Sequence, residues 1–399
     1  CSVCSPARAS LVTGQYPLTH GLFVNDVCLQ NGATSMAQAF KAGGYDTAYI
    51  GKWHIDGHGR TNYIPPERRQ GFEYWKVLEC THSYNESYYY AGDSDEKLAW
   101  ENYDAEAQTK DAQQYIRDHQ GDDPFLMVLS WGPPHAPYET APAKYRAQYR
   151  REDIELRPNV PPEKAADAAE WIAGYYAHCT ALDDCMADLL QTLEDQGIDD
   201  NTLVLFFSDH GDMLGSQGWD KKQKPWEESI RVPFLLRYPA LLGTEGRQVD
   251  TLIDIPDIMP TLLGLCQLNI PESVEGLDFS GYLRGGDDPS DGAALLSCPH
   301  PFGQWHRQIG GREYRGLRTK RYTYARSLDG PWLLYDNERD PYQLENLVDS
   351  PDTADLLKEL DQHLSKRLAL MGDEFLPGDD YLHQWGYQVD EKGTVPYRN

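Results

Sequence analysis

The opening stretch, CSPARASLVTG, puts a thiol where an anion would be held. Pro6 suits the first turn of a helix, ARASLV can continue it and Gly14 can end it. Cys4 then sits at a helix N-terminus, where unpaired backbone amides and the positive end of the helix dipole favour an anion such as sulfate. Arg8 lies one turn further on and can share that face. On these residues alone, an ordinary capped helix with a buried thiol is the plainer reading. A third reading pairs Cys1 with Cys4 as a CxxC redox or zinc motif, but no second CxxC or nearby HxxxH supplies the other ligands.

Three more segments carry groups of the same kind. They are GKWH with Lys52 and His54, PPHAPY with His135 held between prolines, and SDHGD with Asp209 and His210. Taken singly they read as a solvated loop end, a structural histidine, and a pair that either turns the chain or binds a metal. Each, however, directly follows an apolar run: DTAYI ending at Ile50, FLMVLS ending at Ser130, and TLVLFF ending at Phe207. Such runs read as strands, and in open α/β sheets ligands bind beyond the carboxyl ends of the strands. Independent turns would not deliver basic, imidazole and carboxylate groups to one edge in this way.

The elements that must position these groups are legible too. Between the second and third strands, Trp171, Ile172, Tyr175, Tyr176, Cys179, Leu182, Met186, Leu189, Leu190 and Leu193 recur at steps of three and four, the mark of a core-facing helix rather than a cofactor box. Alternating strands and helices predict an α/β domain with a large, mostly parallel sheet flanked by helices over residues 1–290. A Gly, Asp and Pro-rich stretch, GGDDPSDG, marks the boundary. Over 291–399, YRGLRTKRYTYAR and WLLYD read as antiparallel strands and ADLLKELDQHLSKRLALM as one amphipathic helix, predicting a smaller α+β domain.

Composition narrows the classes. The chain has 399 residues, 40% of them hydrophobic, enough for a large core. Its formal charge of -27 argues against a general nucleic-acid or anionic-membrane surface, so an anionic substrate needs a locally positive cleft. Eight cysteines are too few for a disulfide scaffold at this length and leave the redox compartment open. No apolar run reaches the roughly 18 to 20 residues that span a bilayer. No signal segment is present, and because the chain opens on Cys1 inside what reads as a domain, further sequence is expected upstream.

The spacing CxPxR followed by TG resembles the signature of type I, formylglycine-dependent sulfatases, of the alkaline phosphatase-like superfamily. The GKWH, PPHAPY and SDHGD loops resemble that family's active-site segments in the right order. KKQKPWEESIRVPFLLRYP follows, in which Lys222, four residues before Trp226, matches the family lysine that contacts sulfate. Lys221 and Lys224 read as solvated charges. YDNERDPYQLENL is similar to the family's C-terminal domain, so the resemblance covers essentially the whole chain.

The resemblance implies that Cys4 becomes formylglycine through a maturation enzyme, held by Arg8. It implies a divalent metal, Ca²⁺ or else Mg²⁺, with Asp209 and His210 among its ligands. Arg8, Lys52 and Lys222 would add fixed positive charge, His135 and Lys222 would bind sulfate and protonate the leaving alcohol, and His54 would act as base. One hydroxyl of the aldehyde hydrate attacks sulfur, and deprotonation of the other then expels sulfate. The aspartate pair that such enzymes carry on a first strand has no counterpart here, so the sheet is expected to show an unfilled strand position next to Cys4 with apolar side chains along it. The expected activity is hydrolysis of sulfate esters, of a sulfated carbohydrate rather than a small aryl sulfate, in the periplasm or outside the cell. A phosphonate or phosphate-ester hydrolase of the same superfamily and a catalytically impaired carbohydrate-binding relative are the alternatives. The stretches from His54 to Arg60 and from His300 to Arg312 are candidate specificity elements.

Overall fold

The computed structural model describes residues 1–30, 32–119 and 123–397. Helix α1 (Cys4–Thr13) has the limits that Pro6 and Gly14 predict. Gly14 closes it in the left-handed conformation at φ 66°, its N–H bonded to the Ser10 carbonyl. Small side chains (Ser5, Ala7, Ala9, Ser10) let the helix lie almost wholly buried. With no side chain of its own to cap α1, the Ser5 N–H is met by Asn25 Oδ1 at 3.1 Å. Helix α2 (Met36–Ala42) starts at a capping box formed by Ser35 and Gln38.

Five strands form the central sheet: β1 (Asp46–Lys52), β2 (Tyr74–Leu78), β3 (Tyr88–Ala91), β4 (Leu98–Ala99) and β5 (Phe125–Ser130), in the order β4-β3-β2-β1-β5. The sheet is mixed: β1 runs parallel to both β2 and β5, while β3 and β4 continue antiparallel. Its parallel part therefore releases the C-terminal ends of β1, β2 and β5 on one edge, in the register Gly51 to Ser130 and Lys52 to Leu78. Strand β1 runs two residues beyond the apolar DTAYI segment. Gly51 makes this possible, since a Cβ there would come within 2.2 Å of the Ser130 carbonyl oxygen. Helices α3 (Asp104–Asp118) and α4 (Ala165–Asp195) pack together beside this sheet, with Ile116, Leu189 and Leu193 meeting Ile50 and the β5 side chains.

Strands β6 (Val204–Phe207) and β7 (Phe234–Arg237) form a separate antiparallel pair. Strand β5 is hydrogen-bonded only to β1 and β6 only to β7, so among the described residues one edge of each stays open. Every residue of β5 and of β6 is partly exposed. This agrees with the expectation of an apolar strand position standing open beside Cys4. The two open strands nonetheless share one core: Leu126 packs with Leu205 and Phe207, and helix α5 (Ile258–Leu265) covers that cluster with Ile258, Met259, Leu262 and Leu263.

Beyond this, β8 (Ala293–Cys298), β9 (Tyr314–Thr319), β10 (Tyr322–Ser327) and β11 (Gly330–Asp336) make an antiparallel sheet. Strand alternation splits its side chains between two faces. Leu295, Leu317, Tyr324 and Leu334 meet Leu360, Leu364 and Leu368 of α6 (Ala354–Met371). Leu296, Tyr314, Leu333 and Tyr335 meet Trp219, Trp226 and Ile230 from the segment that carries Lys222.

Candidate active site

The side chains released at the strand ends converge on Cys4. Its Sγ lies 3.2 Å from His210 Nε2 and 3.7 Å from Lys52 Nζ. Ligand atoms of Cys4, His135 and His210 all lie within 4.8 Å of one another. Lys222 donates to His135 Nε2. Burial alone would push the Cys4 thiol up, yet Lys52, Lys222 and His210 together hold it well below its ordinary value.

Arg8 holds the frame. Its Nε donates to Asp209 Oδ2 at 2.9 Å, and its Nη1 donates to the Lys52 carbonyl at 2.9 Å and to Ser130 Oγ at 2.7 Å. One guanidinium thus ties the ends of β1, β5 and β6, including the two strands that share no ladder. Partly exposed Asp209 stays below the usual carboxylate range because His210 and Arg8 oppose the cost of desolvation.

Two histidines of the site differ in how their neighbours meet them. His135, flanked by cis peptides at Pro134 and Pro137, directs Nδ1 at the Ala136 carbonyl at 2.8 Å, which makes Nδ1 the protonated nitrogen and leaves Nε2 to accept from Lys222. Burial, then Lys222 and Lys52, keep His135 neutral, well below the ordinary histidine value. His54 is 2% exposed and adopts φ 62°, a conformation uncommon for residues other than glycine and one that collects at functional sites. Neither of its ring nitrogens has a hydrogen-bond partner; Asp26 Oδ1 stands 3.5 Å from Nε2, longer than a hydrogen bond. A buried imidazole left unpaired is costly, so a group that meets it is expected at this position.

Printed contacts aside from those of His54 link Arg8, Lys52, His135, Asp209, His210 and Lys222 around Cys4, and Lys52 and His54 are buried rather than at a solvated loop end. Others had no signal in the sequence. Asp26 faces His54 and is clamped by Arg60 through two bonds of 2.8 Å, so it stays ionised down to about 2 even though burial opposes this. Ser130 anchors Arg8, and His82 stacks on His135 at 4.7 Å between ring centroids. Lys224 corrects an expectation: it is fully buried, its desolvation repaid by backbone carbonyls, whereas Lys221 stays partly exposed beside Asp220. The stretch from His300 to Arg312 divides: His300, Phe302 and Trp305 are buried, whereas Gln304, Arg312 and residues 307–310 are exposed, with Arg307 paired with Glu313 and Asp379.

The family model described as Sulfatase matches residues 1–268. The chain belongs to the sulfatase family. A second model, N-sulphoglucosamine sulphohydrolase C-terminal, matches residues 215–369 of this sulfatase. The chain is similar to an ulvan-active sulfatase of Formosa agariphila, 46% identical over 99% of this chain and 78% of the relative, and to an endo-4-O-sulfatase of Bacteroides thetaiotaomicron, 29% identical over 100% and 84%. A solved structure from the metabolism of multiple glycosaminoglycans in Bacteroides thetaiotaomicron superposes with a TM-score of 0.85 at 28% identity, covering 100% of this chain and 88% of that one. The phosphonate monoester hydrolase of Agrobacterium radiobacter shares the fold at a TM-score of 0.72 and 23% identity, over 100% and 90% of the two chains.

The sulfatase is therefore an enzyme that hydrolyses sulfate esters, and its family implies a formylglycine and a divalent metal. The surroundings of Cys4 suit an aldehyde hydrate: a buried cationic pocket and, at His54, two unpaired ring nitrogens. The metal is a different matter. Asp209 and His210 offer one carboxylate and one imidazole, and Asp209 is already paired with Arg8, whereas Ca²⁺ takes about six to eight oxygen ligands and Mg²⁺ six. The described residues do not by themselves make that coordination sphere. No helix among them is long and apolar enough to cross a membrane.

Proposed function

We propose that Cys4 is matured to formylglycine by a maturation enzyme and that this sulfatase releases sulfate from a sulfated carbohydrate. The observation that carries the reading is the convergence of Lys52, His210 and the Lys222 and His135 pair on Cys4, with His54 unpaired beside them. A hydrated aldehyde at position 4 supplies a hydroxyl that attacks sulfur and a second one whose loss of a proton drives sulfate out. Lys52 and Lys222 hold the sulfate oxygens by fixed positive charge, in a site where burial strengthens such contacts.

The Lys222 and His135 pair carries one mobile proton on the leaving-group side. Because His135 is neutral and its Nε2 accepts from Lys222, the proton delivered to the departing alcohol starts on the lysine. His54 accepts the proton of the second hydroxyl, and Asp26, facing Nε2, steadies the imidazolium that results. Arg8 acts through Asp209, Ser130 and the Lys52 carbonyl, keeping the strand ends in place.

Family membership points to Ca²⁺ ahead of Mg²⁺, with Asp209 and His210 as the ligands this stretch offers. The carbohydrate preference rests on the relatives, whose names specify ulvan, an endo-4-O-sulfate and glycosaminoglycans. Such a substrate fits action in the periplasm or outside the cell. The test compares hydrolysis of sulfated polysaccharides, nitrophenyl sulfate and the nitrophenyl phosphate and phosphonate analogues by the matured enzyme. Preference for a sulfated polysaccharide supports the reading, and preference for the phosphonate overturns it.

A further inference from the structure

Lys224 carries an ammonium group into the interior with no part of the residue exposed. Its Nζ donates to the Lys222 carbonyl at 2.9 Å and the Asp220 carbonyl at 3.0 Å, and lies 5.3 Å and 5.7 Å from the ring centroids of Trp219 and Trp305. Burial pulls this lysine down to about 8. An apolar side chain could fill the same space without that desolvation cost. What the ammonium supplies instead is direction, because it fixes two carbonyls on either side of Lys221.

That backbone needs fixing. Between Asp212 and Lys224, four non-glycine residues adopt positive φ: Leu214 at 45°, Gln217 at 56°, Lys221 at 59° and Gln223 at 76°. Counter-contacts surround it: the Lys221 N–H donates to Asp212 Oδ1 at 2.9 Å, the Gln223 N–H to the Ser2 carbonyl at 3.0 Å, and the Tyr314 hydroxyl to the Gln223 carbonyl at 3.1 Å. Lys224 holds the carbonyl of the peptide that joins Lys222 to Gln223, while the Ser2 carbonyl holds the N–H of the same peptide. Trp305, which lies between β8 and β9, closes over it.

We propose that Lys224 is a positioning residue for hydrolysis: through the Lys222 carbonyl it aims the Lys222 ammonium at His135 and the leaving group, and through Trp305 it couples that aim to the C-terminal sheet. The inference rests on the sulfatase reading, and its test separates the two. Matured full-length enzyme is compared as wild type, Lys224→Met, Lys222→Ala and the double variant on nitrophenyl sulfate and a sulfated polysaccharide. On the sulfated polysaccharide Lys224→Met is expected to lose about 10- to 100-fold in kcat with KM little changed, the scale of a misplaced catalytic group, and to lose no more than Lys222→Ala does on nitrophenyl sulfate. The double variant is expected to match Lys222→Ala, since the lysine to be positioned is already gone. Full activity in folded Lys224→Met, or losses that multiply in the double variant, overturns the proposal. Should Lys224→Met fail to fold, Lys224→Gln, which keeps a donor for one carbonyl, is read by the same criteria. A wild type inactive on both sulfates sinks the sulfatase reading alone. Positioning is then decided by the crystal structure of Lys224→Met: loss of the Lys222 to His135 contact supports it, and retention overturns it.

Discussion

Lys52 Nζ and Cys4 Sγ stand 3.7 Å apart, one on the last residue of β1 and the other on the first of α1. Burial alone would strip the charge from this lysine, yet the Cys4 and Cys80 thiolates hold it above its ordinary value. The ammonium is thus fixed at the position where sulfate oxygens would sit if residue 4 carried the nucleophile. The same closeness makes Lys52 and Cys4 the residues at which the account is most exposed to test.

Cys4→Ser is expected to abolish repeated turnover. A serine sulfate has no second hydroxyl to drive release, so the variant frees at most one alcohol per enzyme and keeps the sulfate bound. Counting sulfate released per active site checks this, and sustained release by purified Cys4→Ser protein would contradict the assigned chemistry.

Loss of His135 or Lys222 should depend on the leaving group. His135→Ala and Lys222→Ala are each expected to cost about 100- to 10,000-fold on a sulfated polysaccharide, whose alkoxide needs a proton to depart. The loss should be much smaller on nitrophenyl sulfate, whose phenolate departs unaided. Steady-state kinetics on both substrates decide it, and equal losses would remove the pair from the leaving-group side.

Asp26→Asn is expected to lower kcat by about 10- to 100-fold, less than His54→Ala, because a neutral amide cannot steady the imidazolium at Nε2. The expected signature is a shift in the pH profile of kcat that His54→Ala abolishes. An unchanged profile in Asp26→Asn would show that the 3.5 Å approach is without catalytic consequence.

Asp104 gives a pH-dependent stability prediction away from the site. Burial raises this carboxyl from 3.8 to about 7, against the pull of Ser87 and the Ala105 N–H, and its Oδ1 has no hydrogen-bond partner. The folded chain keeps the proton that the unfolded chain releases near 3.8. Its contribution to stability is therefore full below about pH 4 and is lost as pH rises through about 7. Asp104→Asn removes this loss, so its stability relative to wild type should climb by about 2 to 4 kcal/mol between pH 4 and pH 8. Denaturant melts across that range measure the difference, and a flat difference would contradict it.

Much of the frame was legible because its cues are local. Pro6 and Gly14 bound α1, the FLMVLS run has the limits of β5, and ADLLKELDQHLSKRLALM has those of α6. Cys4, His54, His135 and His210 were legible because each opens a helix or lies just beyond a strand, whereas Lys222 was legible only through the family resemblance of its segment. What supports them was not. Asp26 meets His54 from 28 positions away and Ser130 meets Arg8 from 122 away, pairings that no spacing rule encodes. Lys224 misled for a physical reason: a lysine among lysines reads as solvated, and only the fold reveals two carbonyls and two indole faces around it.

The most direct measurement is mass spectrometry of the Cys4 peptide from active enzyme made together with a formylglycine-generating maturation enzyme. The account predicts an aldehyde or its hydrate at position 4, reactive toward a hydrazide probe, with specific activity that scales with the modified fraction. An unmodified Cys4 thiol in fully active enzyme would contradict it.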